Sequence, residues 1–209
     1  MSEESAIHAA YVVAIVAEAM TAALVAGRRG MDWFGVCVVA GVTALGGGTV
    51  RDVLLGHYPL GWVQHPQYLG YVLLAALSVG IFAPLIVRLR RIFLLLDALG
   101  LVVFTVIGCN VAHALALPLT IVIVSGMITG TCGGVLRDVL CGQTPLLFQK
   151  ELYATVSLVT GVLYMGAGYF GVHHGVSMLM AMGLGLVLRL LAICYDWNMP
   201  RFAYRGKWD

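Results

Sequence analysis

The chain has 209 residues, of which 61% are hydrophobic and 11% charged, with a formal net charge of +2. Soluble domains carry about 25% charged residues, so the composition excludes a soluble globular domain, and a balance this close to neutral supplies no basic surface for nucleic acid. The mean hydropathy of +0.96, together with apolar runs near the roughly 20 residues that a bilayer crossing takes, places residues 1–209 in one transmembrane domain.

Seven helices are predicted in chain order, at 7–27, 33–55, 68–88, 92–113, 118–142, 150–172 and 175–194. The first is preceded by the acidic Glu3 and Glu4 rather than by basic residues, so it is read as a retained helix and not as a signal peptide. It carries Glu18 in its middle, and the fourth carries Asp97 in its first half. Acids at such depth belong on a bundle interior. The second helix contains Gly46, Gly47, Gly48, Thr49, Arg51 and Asp52, and the fifth contains Gly133, Gly134, Arg137 and Asp138. Tyr58, Trp62, Tyr68 and Tyr71 read as an aromatic belt, and His113, His173 and His174 as interfacial. The five cysteines lack metal-ligand spacing and read as small apolar side chains.

The second and fifth helices carry one motif twice. Residues 46–60 and 132–146 match at 9 of 15 positions, at an offset of 86 without gaps. Arg28, Arg29, Arg88, Arg90, Arg91, Lys150, Arg201, Arg205 and Lys207 fall in alternate connections. The positive-inside rule then sets the N-terminus outside and the C-terminus in the cytoplasm, so the two motif helices run in opposite directions. The expected architecture is two inverted three-helix repeats, about 7–88 and 92–172, with a final helix at about 175–194. Inverted repeats place a polar site near the midplane, often on interrupted helices.

Glycine disfavours helix by about 1 kcal/mol relative to alanine, so the clusters are expected to break helices two and five and free backbone carbonyls for a cation. The competing reading is close packing through small residues. The ion pathway or gate is assigned to Gly46, Gly47, Gly48, Thr49, Arg51, Asp52, Gly133, Gly134, Arg137 and Asp138. Glu18, Asp97, Thr43 and Thr129 form a further polar site. Arg51 is expected to pair with Asp138 and Arg137 with Asp52, or each pair to anchor the broken helix ends. Metal-hydrolase, serine-hydrolase and P-loop motifs are absent, which argues against an enzyme, a cofactor or a metal centre.

The strings GMDWFGV (30–36), TALGGGTVRDVLLGHYPL (43–60), LDALGLVVF (96–104) and GTCGGVLRDVLCGQTPL (130–146) resemble the prokaryotic trimeric intracellular cation channel (TRIC) family. AEAMTAA at 17–23 resembles bacterial members described as glycine transporters. The resemblance implies seven helices, kinks at the glycines of helices two and five, and a homotrimer in the bacterial inner membrane with one pore per protomer. It also implies passive conduction of K⁺, with glycine transport through the same site as the alternative. Three positions depart from the family pattern: Cys132 in place of a glycine, Tyr11 where relatives carry an acid matching Asp97, and Glu18 where relatives are apolar.

Overall fold

The computed structural model describes residues 3–82, 89–149 and 152–197. Among these, nine helices run in the order α1 (Glu3–Arg28), α2 (Trp33–Leu55), α3 (Gly61–Gln64), α4 (Gln67–Phe82), α5 (Leu89–Ala114), α6 (Leu119–Leu140), α7 (Leu146–Gln149), α8 (Tyr153–Tyr169) and α9 (His174–Cys194). Helices α3 and α7 are single turns of 4 residues. The seven longer helices fall on the seven predicted runs, but only α1, α2, α5, α6 and α9 are long and apolar enough to cross a membrane by themselves. Helix α4 has 16 residues and α8 has 17. Residues 83–88 and 150–151, which the sequence reading gave to their ends, lie outside the described residues, as do Arg88, Lys150, Arg201, Arg205 and Lys207.

The polarity of the bundle is inverted relative to a soluble protein. Leu74, Ile81 and Leu179 are more than 60% exposed, while Arg137, Arg189 and Asp97 are 0% exposed. Apolar side chains facing outward suit lipid, and charges facing inward are where a membrane interior tolerates them. All five cysteines are free. Tyr68, assigned to an aromatic belt, is instead buried, and its hydroxyl meets His8 Nδ1 at 2.9 Å.

Helices α2 and α6 run through their glycines without interruption, which corrects the expectation of broken helices. The glycines bring backbones together. A Cβ on Gly47 would collide with the Thr129 carbonyl oxygen, and one on Gly133 would come within 2.5 Å of the Thr43 carbonyl oxygen. Residues 43 and 129, like 47 and 133, differ by the 86-residue offset, so the two contacts are reciprocal. Packing contacts recovered at this crossing outweigh the roughly 1 kcal/mol helix penalty of each glycine.

Both motif helices end alike. Gly56 and Gly142 sit at φ 64° and 62°, a region open to glycine but strained for other residues. The His57 and Gln143 amides close back on the Asp52 and Asp138 carbonyls at 2.8 Å each, the Schellman pattern of a helix C-terminus. At the other end of α2, the Asp32 side chain accepts from the Gly35 amide at 2.7 Å, satisfying an orphan donor of the first turn.

Candidate functional site

Arg51 and Asp52 pair with each other. Arg51 Nε and Nη2 donate to Asp52 Oδ1 at 2.9 and 2.7 Å, both side chains being almost fully buried. Asp52 Oδ1 also meets His57 Nδ1 at 3.1 Å, and Oδ2 accepts from the Gly61 amide at 3.2 Å at the start of α3. The second motif repeats this design. Arg137 Nε donates to Asp138 Oδ1 at 2.8 Å, and Asp138 Oδ2 accepts from the Leu146 amide at 2.9 Å at the start of α7. Each carboxylate thus ties the C-terminal end of a long helix to the short helix that follows, and the broken helix ends that the pairs were expected to anchor do not form.

The expected exchange, Arg51 with Asp138 and Arg137 with Asp52, does not occur. The two helices cross at Gly47 and Gly133, and each motif lies on the C-terminal side of that crossing. Because the helices are antiparallel there, the motifs move apart at about 1.5 Å per residue. Adjacent helical residues diverge in direction, but an arginine is long enough to fold back onto its neighbour.

The hydroxyls flanking the glycines are engaged locally. Thr43 Oγ1 donates to the Val39 carbonyl and Thr129 Oγ1 to the Ser125 carbonyl, both at 2.7 Å. Thr49 Oγ1 donates to the Leu45 carbonyl at 2.8 Å and accepts from the Trp62 indole at 3.2 Å, holding α3 against α2. Gly46 faces Leu136 of α6. Gly48 and Gly134 flank the guanidiniums: a Cβ on Gly48 would lie 3.7 Å from Arg51 Nη2, and one on Gly134 would lie 3.6 Å from Arg137 Nη2.

Of the four residues expected to form a further polar site, Glu18 and Asp97 converge on the second motif, whereas Thr43 and Thr129 stay at the helix crossing. Arg137 Nη1 donates to Asp97 Oδ1 at 2.8 Å and to Thr21 Oγ1 at 3.1 Å, and lies 3.7 Å from Glu18 Oε2. Glu18, Asp97 and Asp138 are at most 3% exposed. The Phe93 ring stacks on Arg137, 4.8 Å from guanidinium carbon to centroid. Three participants escaped the sequence reading. Arg189 of α9 places Nη2 at 3.9 Å from Asp97 Oδ2 and its guanidinium over the Tyr153 ring at 4.6 Å. The Tyr153 hydroxyl donates to Asp97 Oδ1 at 3.4 Å. Thr21 bridges Glu18 and Arg137. An arginine inside the apolar run of α9 was itself a readable signal, whereas Tyr153 and Thr21 are identified only by proximity.

The first half has a thinner counterpart. Tyr11, offset by 86 from Asp97, approaches Gly48 beside Arg51, where a Cβ would be 3.8 Å from its hydroxyl. Its ring lies 4.8 Å from that of Tyr68 and 5.9 Å from that of Phe104, which is offset by 86 from Glu18. Glu18 and Asp97 of the second cluster thus correspond to aromatic rings in the first.

A cavity of about 400 Å³ opens next to the second cluster, with Arg28, Arg29, Arg90, Phe93, Asp138 and Leu146 in its wall. Arg29 Nη2 donates to the Gly142 carbonyl at 3.3 Å, which sets the α1–α2 and α6–α7 connections at the same end of the bundle.

One family model, described as glycine transporter, matches the chain twice, over residues 8–84 and 94–169. The chain belongs to the TRIC-type glycine-transporter family. It is 40% identical over 188 residues to the UPF0126 inner membrane protein YadS of Escherichia coli, covering 88% of this chain and 90% of YadS. It is 32% identical over 195 residues to the UPF0126 membrane protein YvgT of Bacillus subtilis, covering 93% and 95%. Among solved structures it is similar to the trimeric intracellular cation channel orthologue from Rhodobacter sphaeroides, with TM-score 0.89, 30% identity, and coverage of 92% and 100%. It is also similar to a second TRIC cation channel, with TM-score 0.87, 32% identity, and coverage of 96% and 98%. The two matches of the family model begin 86 residues apart, at 8 and 94, the offset of the motif.

Proposed function

We propose that the protein is a K⁺-permeable channel of the bacterial inner membrane, with a pore inside each protomer of a homotrimer. The carrying observation is the likeness of nearly the whole chain to TRIC cation channel structures at 30% identity or more. In this reading α1, α2 and α4 form the first repeat, α5, α6 and α8 an inverted second, and α9 packs on the second through Arg189. The N-terminus is outside and the C-terminus cytoplasmic. The ion path runs along the α2–α6 crossing, past Gly46–Gly48 and Gly133–Gly134, with Arg51–Asp52 and Arg137–Asp138 controlling its two ends. Buried rings of charge that bind weakly enough to release an ion are a known route to selectivity.

The test is planar-bilayer recording of purified protein under a KCl gradient, with Asp52→Asn as the comparison. Discrete cation-selective steps are expected, with altered amplitude or open time in the variant, because Arg51 and the α3 amide lose their anionic partner. A folded protein that passes no current would remove the channel reading. The second reading, transport of glycine, is favoured by the family description and by the grouping of guanidiniums with acids around Arg137. Uptake of glycine into proteoliposomes without channel currents would establish it.

A further inference from the structure

Two guanidiniums and three carboxyls meet in the buried cluster of the second half. Arg137 and Arg189 face Glu18, Asp97 and Asp138, and all five are at most 3% exposed. Fully ionised, the described members of the cluster carry one uncompensated negative charge away from water, which is costly enough that such sites take up a compensating cation or proton. The three carboxyls are not equally supported. Asp97 and Asp138 each accept a charge-assisted bond of 2.8 Å from Arg137, and Asp138 adds the Leu146 amide at 2.9 Å. Glu18 Oε2 is 3.7 Å from the nearest guanidinium nitrogen.

The hydroxyl of Thr21 is more specific. Its Oγ1 lies 2.8 Å from the Glu18 carbonyl oxygen and 3.1 Å from Glu18 Oε2, and it accepts from Arg137 Nη1 at 3.1 Å. A hydroxyl has one hydrogen to donate. With that hydrogen on the carbonyl, the shorter contact, the remaining oxygen–oxygen contact is a hydrogen bond only if the carboxyl supplies the proton. Asp97 Oδ2 and Arg137 Nη2 are buried without hydrogen-bond partners, so the cluster has unused capacity on both sides of the charge balance.

We infer that this cluster is a proton-binding site, with one exchangeable proton held on the Glu18 carboxyl and directed at Thr21. Among the described residues, the charged and titratable groups facing it are Asp97 from α5, Arg137 and Asp138 from α6, Tyr153 from α8 and Arg189 from α9. The proton exchanges with water through the cavity beside the cluster, whose wall includes Asp138. Its departure leaves a net negative pocket, so a proton and a monovalent cation compete for this half of the molecule. Among the described residues, the first half, with Arg51 and Asp52 already balanced and rings at the corresponding positions, lacks such a site.

Infrared spectroscopy of the full chain in lipid vesicles tests this without any transport assay, so its failure is separate from failure of the channel reading. At neutral pH the wild type should show a protonated-carboxyl stretch that shifts in D2O. Glu18→Gln should remove it, and Asp52→Asn, in the other half of the molecule, should keep it. Thr21→Val, which removes the acceptor and leaves Glu18 in place, should raise its frequency. A wild type without the band overturns the inference. So does a band that survives Glu18→Gln, or one that Thr21→Val leaves unmoved.

Discussion

Arg137 is the residue around which the second half is organised, with three carboxyls within 4 Å of one guanidinium. Arg51 has one, its sequence neighbour Asp52. If pairing is local, a double-mutant cycle between Arg51→Leu and Asp52→Leu should give a coupling of about 1 kcal/mol or more, since contacting residues couple. The cycle between Arg51→Leu and Asp138→Leu should be additive to within about 0.5 kcal/mol, as for separate sites. Chemical unfolding in detergent measures both, and a strong Arg51–Asp138 coupling would sink the local assignment. The sequence showed that Arg51, Asp52, Arg137, Asp138, Glu18 and Asp97 are interior charges, because a charge inside an apolar run is costly unless it turns away from lipid. It did not show the partners. Partner choice depends on which side of a helix crossing each residue falls, and an antiparallel crossing carries equivalent residues apart.

Helices α2 and α6 illustrate how one residue type supports opposite readings. Glycine lowers helix propensity, which suggested a break; it also removes the side chain that would hold two helices apart, which is what the structure uses. The motif flagged the right positions with the wrong consequence, because propensity is a local property and the compensating contact is made by the other repeat. Gly47→Ala and Gly133→Ala should each destabilise by about 1–3 kcal/mol through overpacking, since the obstructing atoms are backbone carbonyls that cannot rotate away. Gly48→Ala should be close to neutral or slightly stabilising, as its nearest neighbours are at ordinary contact distance and alanine favours helix. Thermal melts of the three variants distinguish the cases. Equal losses at all three positions would mean that the glycines serve the helix backbone and not the crossing. The positions of the seven longer helices were legible from hydropathy, but not the single turns α3 and α7, which are too short for any periodicity to register.

At the scale of the whole molecule, the same motif serves two ends. The Asp52 carboxylate lies by His57 and the start of α3, while Asp138 lies by the Arg28, Arg29 and Arg90 cavity. In the orientation proposed above from the positive-inside rule, the cavity end is cytoplasmic and the α8–α9 connection external. His173 is exposed in that connection, and Gln143 is exposed beside the cavity. In intact cells, His173→Cys should therefore react with a membrane-impermeant thiol reagent, and Gln143→Cys should react only after the membrane is opened. Both variants need a background in which the native cysteines are replaced, Cys194 above all because it is the exposed one. Reversed labelling would turn the molecule over: the proton site on Glu18 would then open toward the outside, and the histidine-flanked Asp52 end would face the cytoplasm. Labelling at both positions without opening the membrane would mean that the α2–α6 crossing does not separate the two sides, and that the two motif ends belong to one continuous aqueous space.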